Sequence, residues 1–122
     1  MKKIEAIIRP DRLQQVQDAL DEIGASGLTV TEVLGCGAQR GYTETYRGTN
    51  MRISLQRKLK VESVMPDDKI EGAVTAIIDA ARTGEVGDGK IFILPVEDAI
   101  RIRGGERGDP IVQHREPQHW GH

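Results

Sequence analysis

Apolar residues recur along the chain in two periods, and the switching between them draws the elements. Residues 3–9 (KIEAIIR) form a short Ile-rich run that predicts a strand, stopped by Pro10-Asp11. Leu13, Val16, Leu20 and Ile23 follow at helical spacing and put one apolar stripe on a helix over 11–23. Asp11 and Gln14 have the spacing of a capping box, and Gly24 is placed to end the helix. Residues 28–34 (LTVTEVL) are β-rich and predict a second strand. From 35 to 57 there are four glycines and no sustained period, so a long loop is expected. Loops of that length in compact domains are uncommon and usually functional. Residues 58–65 (KLKVESVM) then alternate as a half-buried strand does, and Pro66-Asp67-Asp68 interrupts them. Ile70, Val74, Ile77 and Ala81 make a second helical stripe, with Asp68 and Glu71 as a candidate cap pair and Gly84 as its end. Residues 90–96 (KIFILPV) read as a buried strand, and 100–103 (IRIR) alternate strictly.

Strand, Pro-Asp, helix, Gly, strand thus occurs twice. The order β-α-β-β-α-β is the ferredoxin-like arrangement of the α+β class, an antiparallel sheet with both helices on one face. Such a sheet leaves its other face bare, and oligomerisation is an economical way to cover it.

Composition narrows the function. At 122 residues one domain is expected. A net charge of −2 with one Trp, one Phe and two Tyr disfavours a nucleic-acid binder, which needs clustered cations or stacking aromatics. The single cysteine, Cys36, allows no intrachain disulfide, which fits a reducing cytoplasm. No apolar h-region follows Met1-Lys2-Lys3, and no apolar run approaches a membrane span.

The richest candidate chemistry is Thr83-Gly84-Glu85-Val86-Gly87-Asp88-Gly89-Lys90. Three glycines let several N–H groups turn toward one point, and Lys90 adds charge, a combination suited to phosphate. A Walker A reading fails, because Ile91 stands where Ser or Thr must hold magnesium and the loop leads from helix to strand. A plain Gly-rich connection with an exposed lysine reads this segment alone equally well. Arg101 and Arg103, two apart on an alternating strand, would present both guanidinium forks on one face, as a polyphosphate needs. Solvated arginines on an edge strand are the plainer alternative. Cys36 has no basic neighbour to activate it, and His114, His119 and His122 all lie in a Gly-, Pro- and charge-rich tail expected to be mobile. With every histidine in that tail, no Ser-His-Asp set can be assembled, and no carboxylate pair stands out as acid and base.

Taken together, these segments resemble the PII signal-transduction family over residues 1–112. The resemblance is carried by MKKIEAIIRP (1–10), TVTEVLGCG (29–37), YRG (46–48), VMPDD (64–68) and TGEVGDGKIFILPVEDAIRIRGGE (83–106), with the spacing between them. It implies a cytoplasmic homotrimer in which ATP and ADP compete for clefts between subunits. A T-loop, at about 37–55 here, would dock on target proteins. Residues 82–90 would be the B-loop and 101–112 the C-loop, with 113–122 a tail beyond them. Thr29 and the backbone near Gly35, Gly37 and Val64 would hold adenine. Gly87, Asp88, Gly89 and Lys90, with Arg101 and Arg103 from the neighbouring subunit, would hold ribose and phosphates. Gln39 would meet magnesium, and Lys58 would grip a carboxylate of 2-oxoglutarate.

The chain departs from the family pattern in three places. Met51 stands where many relatives carry a modifiable tyrosine, Ala38 replaces the usual arginine, and 52–57 (RISLQR) is more basic than usual. The implied function is a regulator of enzymes or transporters in nitrogen and carbon metabolism, with at most weak ATPase activity. An alternative is a variant that senses ADP or AMP with another small anion. A nucleotide-hydrolysing enzyme is a weaker reading, and an RNA binder on this fold lacks its aromatics.

Overall fold

In the computed structural model, which describes residues 1–25, 27–38 and 53–112, the chain forms one four-stranded antiparallel sheet with two helices on one side. The elements are β1 (Lys2–Ile8), α1 (Leu13–Glu22), β2 (Thr29–Ala38), β3 (Ile53–Met65), α2 (Ile70–Ala81), β4 (Lys90–Pro95) and a one-turn α3 (Asp109–Val112). Short 3-10 turns at Pro10–Arg12 and Asp67–Lys69 open the two main helices. Strand order is β2-β3-β1-β4, the ferredoxin-like order expected from the repeat.

Both helical stripes face the sheet as read. Val16 and Leu20 of α1, and Ile70, Ala73, Ile77 and Ala81 of α2, are buried against Ile4, Ala6 and Ile8 of β1 and Leu59, Val61 and Met65 of β3. Ser63 interrupts this apolar core. Its buried hydroxyl has no hydrogen-bond partner among the described residues. Gly24 caps α1 with φ 82, and Ala25 N–H reaches back to Leu20 O at 2.9 Å.

Several local expectations fail for identifiable reasons. Neither main helix has a side-chain N-cap hydrogen bond; the 3-10 turns take that role, and Gln14 instead donates to Asp18 at 2.9 Å. Helix α2 stops at Ala81, with Arg82 already extended, so Gly84 belongs to the following loop. The long loop is shorter than expected, because β2 and β3 continue as a ribbon, pairing Gly35 with Gln56 and Ala38 with Ile53. Backbone pairing carries this extension, which is why glycines hid it from periodicity. The expected T-loop core, with Gln39 and Met51, and the tail 113–122 lie outside the described residues. Residues 90–96 are not a buried strand: β4 is a sheet edge, with Phe92, Ile93 and Leu94 well exposed. Residues 101–103 are not a strand at all. The chain turns there, and only Ile100 makes a bridge, to Arg107.

The open face mixes charged and apolar side chains. Its centre carries Lys3, Glu5, Lys60 and Glu62, and Lys3 Nζ sits 2.8 Å from Glu62 and 3.3 Å from Glu5. The hydrogen bond to Glu62 raises the Lys3 pKa above its ordinary value, and its counterpart lowers that of Glu62. Phe92 and Leu94 of β4, opposite Glu5 and Lys3, add exposed apolar side chains at one margin of that face, and Leu34 and Leu55 are exposed on the ribbon. No described helix is long and apolar enough to cross a membrane.

Strand β4 can lie beside β1 only because of Gly89. Its φ is +105, and a Cβ there would fall 1.8 Å from Ile7 O, inside the ladder itself. Gly84, at φ +91, faces open space. Gly89→Ala is therefore expected to destabilise by more than about 2 kcal/mol, since backbone displacement adds to strain of about 1–3 kcal/mol. Gly84→Ala should show the strain alone. Urea unfolding midpoints of the two variants check this, and equal losses would contradict the close approach at Ile7.

Candidate functional site

The loop joining α2 to β4 is organised by one carboxylate. Asp88 Oδ2 accepts the N–H groups of Thr83 and Gly84, both at 2.8 Å. Its Oδ1 accepts the Thr83 hydroxyl and, at 2.9 Å, Arg9 Nε from the end of β1. Arg9 Nη2 donates to Val86 O at 3.0 Å, and Lys58 Nζ donates to Gly87 O. The loop is thereby fastened to both central strands. The Thr83 hydroxyl first, then Arg9 and the two amides, hold the Asp88 carboxyl well below the usual carboxylate range. Asp88, expected at the nucleotide, has its contacts within the loop and with Arg9.

Around this loop the structure gathers most of the expected residues. Lys58 stands on β3 under the loop, and Gly35 lies against its stem, where a Cβ would meet Lys58 Cγ at 3.3 Å. Gly37 continues the same ribbon, paired with Ser54. Gly87 and Gly89 carry the left-handed turns, with φ 103 and 105. Lys90 pairs with Ile7 and emerges exposed on the open face. An apolar groove of about 490 Å³ runs beneath, between α2 (Val74, Ile77, Ala81) and β4, with Arg82 and Lys90 on its lining.

Thr29, Val64, Arg101 and Arg103 lie elsewhere. Thr29 and Val64 line a separate open cavity of about 330 Å³ with Glu62, Ile111 and Val112. Thr29 pairs with Glu62 across the sheet, while Lys58 pairs with Val33. From Lys58 to Val64 is six residues of strand, about 20 Å at 3.3 Å per residue. The loop that holds Arg101 and Arg103 follows β4 from its far end, where Pro95 pairs with Lys2 and Val96 N–H reaches Met1 O. Lys90, by contrast, begins β4 at the Ile7 end. Both arginines are exposed, and Arg101 Nη1 is 3.6 Å from Glu106 Oε2. The two forks are set by a turn and not by strand alternation.

Sequence reading missed Arg9, Thr83 and Glu106. Arg9 and Asp88 are 79 positions apart, and no local period links them. Only Thr83, five residues before Asp88 in a glycine-rich turn, carried a local signal, the hydroxyl-to-turn pattern.

The depressed Asp88 carboxyl gives the clasp a pH signature. Its stabilisation is complete above the ordinary carboxyl value of about 3.9 and falls away as pH drops toward the lower folded value. Asp88→Asn should therefore be less stable than wild type at neutral pH, with the gap narrowing as pH falls below about 4. Urea midpoints of both proteins from neutral to acid pH measure it. A gap that stays constant would mean that the charge of Asp88 does not hold the loop.

Comparison with known proteins bears on what these residues belong to. A profile described as nitrogen regulatory protein P-II matches residues 1–106. Proteins named nitrogen regulatory protein P-II from Cereibacter sphaeroides and Azospirillum brasilense are 55% and 54% identical over 112 residues, covering 92% of this chain and 100% of each relative. One of that name from Nostoc punctiforme is 54% identical over the same coverage. Each is named as a regulatory protein and not as an enzyme. The sheet order, the clasped loop and these matches agree: the chain belongs to the P-II family of nitrogen regulatory proteins.

Proposed function

We propose that this protein reports adenine-nucleotide state, and 2-oxoglutarate with it, to target proteins in nitrogen and carbon metabolism. The observation that carries the reading is the split of the candidate residues between the two ends of one sheet. Lys58, Gly87, Gly89 and Lys90 stand at one end, while Thr29 and Val64 stand about 20 Å away along β3. A nucleotide cannot engage both sets within one chain. It engages them when the loop end of one subunit meets the Thr29 end of the next, in a closed ring of identical subunits, here a cytoplasmic homotrimer. Arg101 and Arg103 then come from the neighbour and face the phosphates. The exposed apolar edges at β4 and at the Leu34–Leu55 ribbon supply surface for that contact. The T-loop, at about 37–55, would dock on targets.

Among the described residues, no group of three or more His, Cys, Asp or Glu is placed to hold a metal. Magnesium would come as a partner of the nucleotide phosphates, with Gln39 offering an amide oxygen suited to a hard cation. The ion supplies charge neutralisation and open positions for a keto acid. Lys58 takes the distal carboxylate as a point charge, leaving Gly87 O to do so. Keto acid and nucleotide then raise each other's affinity by the same factor.

The nucleotide reading is tested by calorimetry. Lys90→Ala should weaken ATP at least about tenfold, as loss of a charge-assisted contact of about 1.5–3 kcal/mol requires. Chains carrying Lys90→Ala, mixed during refolding with chains carrying Arg101→Ala and Arg103→Ala, should regain wild-type-affinity sites that neither has alone. Wild type without ATP or ADP binding refutes the reading, and absence of complementation refutes the division between subunits.

2-Oxoglutarate should bind only to MgATP-saturated protein, and Lys58→Ala should abolish it. Titration of both proteins with and without MgATP decides the point. A wild type that ignores the keto acid would favour a sensor of another small anion, and binding that survives Lys58→Ala would remove Lys58 from the site.

A further inference from the structure

We infer that Glu106 sets how strongly the loop after β4 takes a polyphosphate, by competing with it for Arg101. The inference rests on the nucleotide reading above, which gives Arg101 its ligand. The loop is a closed hairpin. Ile100 bridges Arg107, Arg101 N–H donates to Glu106 O at 2.9 Å, and Gly105 N–H donates to Arg101 O at 2.7 Å. Gly108 N–H closes the base on Ala99 O at 3.0 Å. Arg107 is committed to Asp98 at 2.8 Å. Arg101 Nη1 lies 3.6 Å from Glu106 Oε2, and Arg103 makes no ion pair among the described residues.

The Arg101–Glu106 pair depends on space that a glycine leaves. A Cβ on Gly104 would stand 2.6 and 2.7 Å from the two carboxylate oxygens of Glu106, which fold back over the turn. Gly104 is not among the positive-φ glycines, so alanine is conformationally acceptable there and would simply push the carboxylate away.

Arg101 and Arg103 therefore differ in kind. An anion at Arg103 meets a guanidinium that no described carboxylate shares. A phosphate at Arg101 must displace a carboxylate and then remain beside its negative charge. A monophosphate needs one fork, and Arg103 supplies it. A di- or triphosphate needs both, so Glu106 weakens the longer chains selectively. The two side chains are 45% and 55% exposed, which limits the effect to the scale of surface pairs, about two- to fivefold in affinity.

The test is calorimetric titration of ATP, ADP and AMP into wild type, Glu106→Gln, Gly104→Ala, Arg101→Ala and the double variant Arg101→Ala/Glu106→Gln, at low and high salt. Glu106→Gln and Gly104→Ala should each tighten ATP about two- to fivefold at low salt and leave AMP unchanged. High salt should shrink the gain, and Arg101→Ala should erase the response to Glu106→Gln. Unchanged ATP affinity in Glu106→Gln, equal tightening of AMP, or a gain that persists without Arg101 overturns the inference while leaving the nucleotide reading intact. A wild type that binds no adenine nucleotide overturns both.

Discussion

Loop 82–90 depends on the carboxylate of Asp88. A turn with three glycines has many conformations open to it when unfolded, and holding one is entropically expensive. Asp88 selects one by accepting two backbone amides, the Thr83 hydroxyl and Arg9. Through Arg9 the loop is tied to β1 and through Lys58 to β3, so a segment that composition alone would call pliable becomes an extension of the sheet. The direction in which Lys90 leaves the fold then follows from ladder register, which sets it opposite Ile7.

Much of the architecture was legible in the residues because burial imposes periods. The stripes at Val16 and Leu20 and at Ile70, Ile77 and Ala81 are buried where a 3.6-residue repeat places them, and Leu59, Val61 and Met65 keep the alternation of β3. What escaped was structure made by backbone or by distance. Gly35 and Gly37 pair as strand without side chains to show it. The IRIR run looked like a strand by alternation alone, but Gly104 and Gly105 reverse the chain before a partner strand can form. Strand β4 has the composition of an interior strand and lies at an edge, because topology and not composition assigns neighbours. The site was legible as a list and not as a place. Motifs identified Thr29, Lys58, Val64 and Lys90, but only pairing register shows that they sit at two ends of one sheet.

That separation gives the sheet a second role beside housing a core. A β-sheet is stiff along its strands, so it holds its two ends at a fixed spacing in every copy of the chain. The open face between them is an alternation of like and opposite charges around Lys3 and Glu62, which stays compatible with water. Exposed apolar side chains flank it, at Phe92 and Leu94 of β4. A small domain built in this way is folded by its own helices and core, and the sheet that closes the core also sets the distance between its two ends.

The close approach of Gly89 to Ile7 O carries a genetic consequence. Every residue other than glycine has a Cβ, so each missense change reachable from a glycine codon puts an atom where the β1 carbonyl already is. No series of single-base steps through other residues can pass this position with the ladder intact. A chain that keeps this sheet as built keeps glycine at position 89, in any of its synonymous codons.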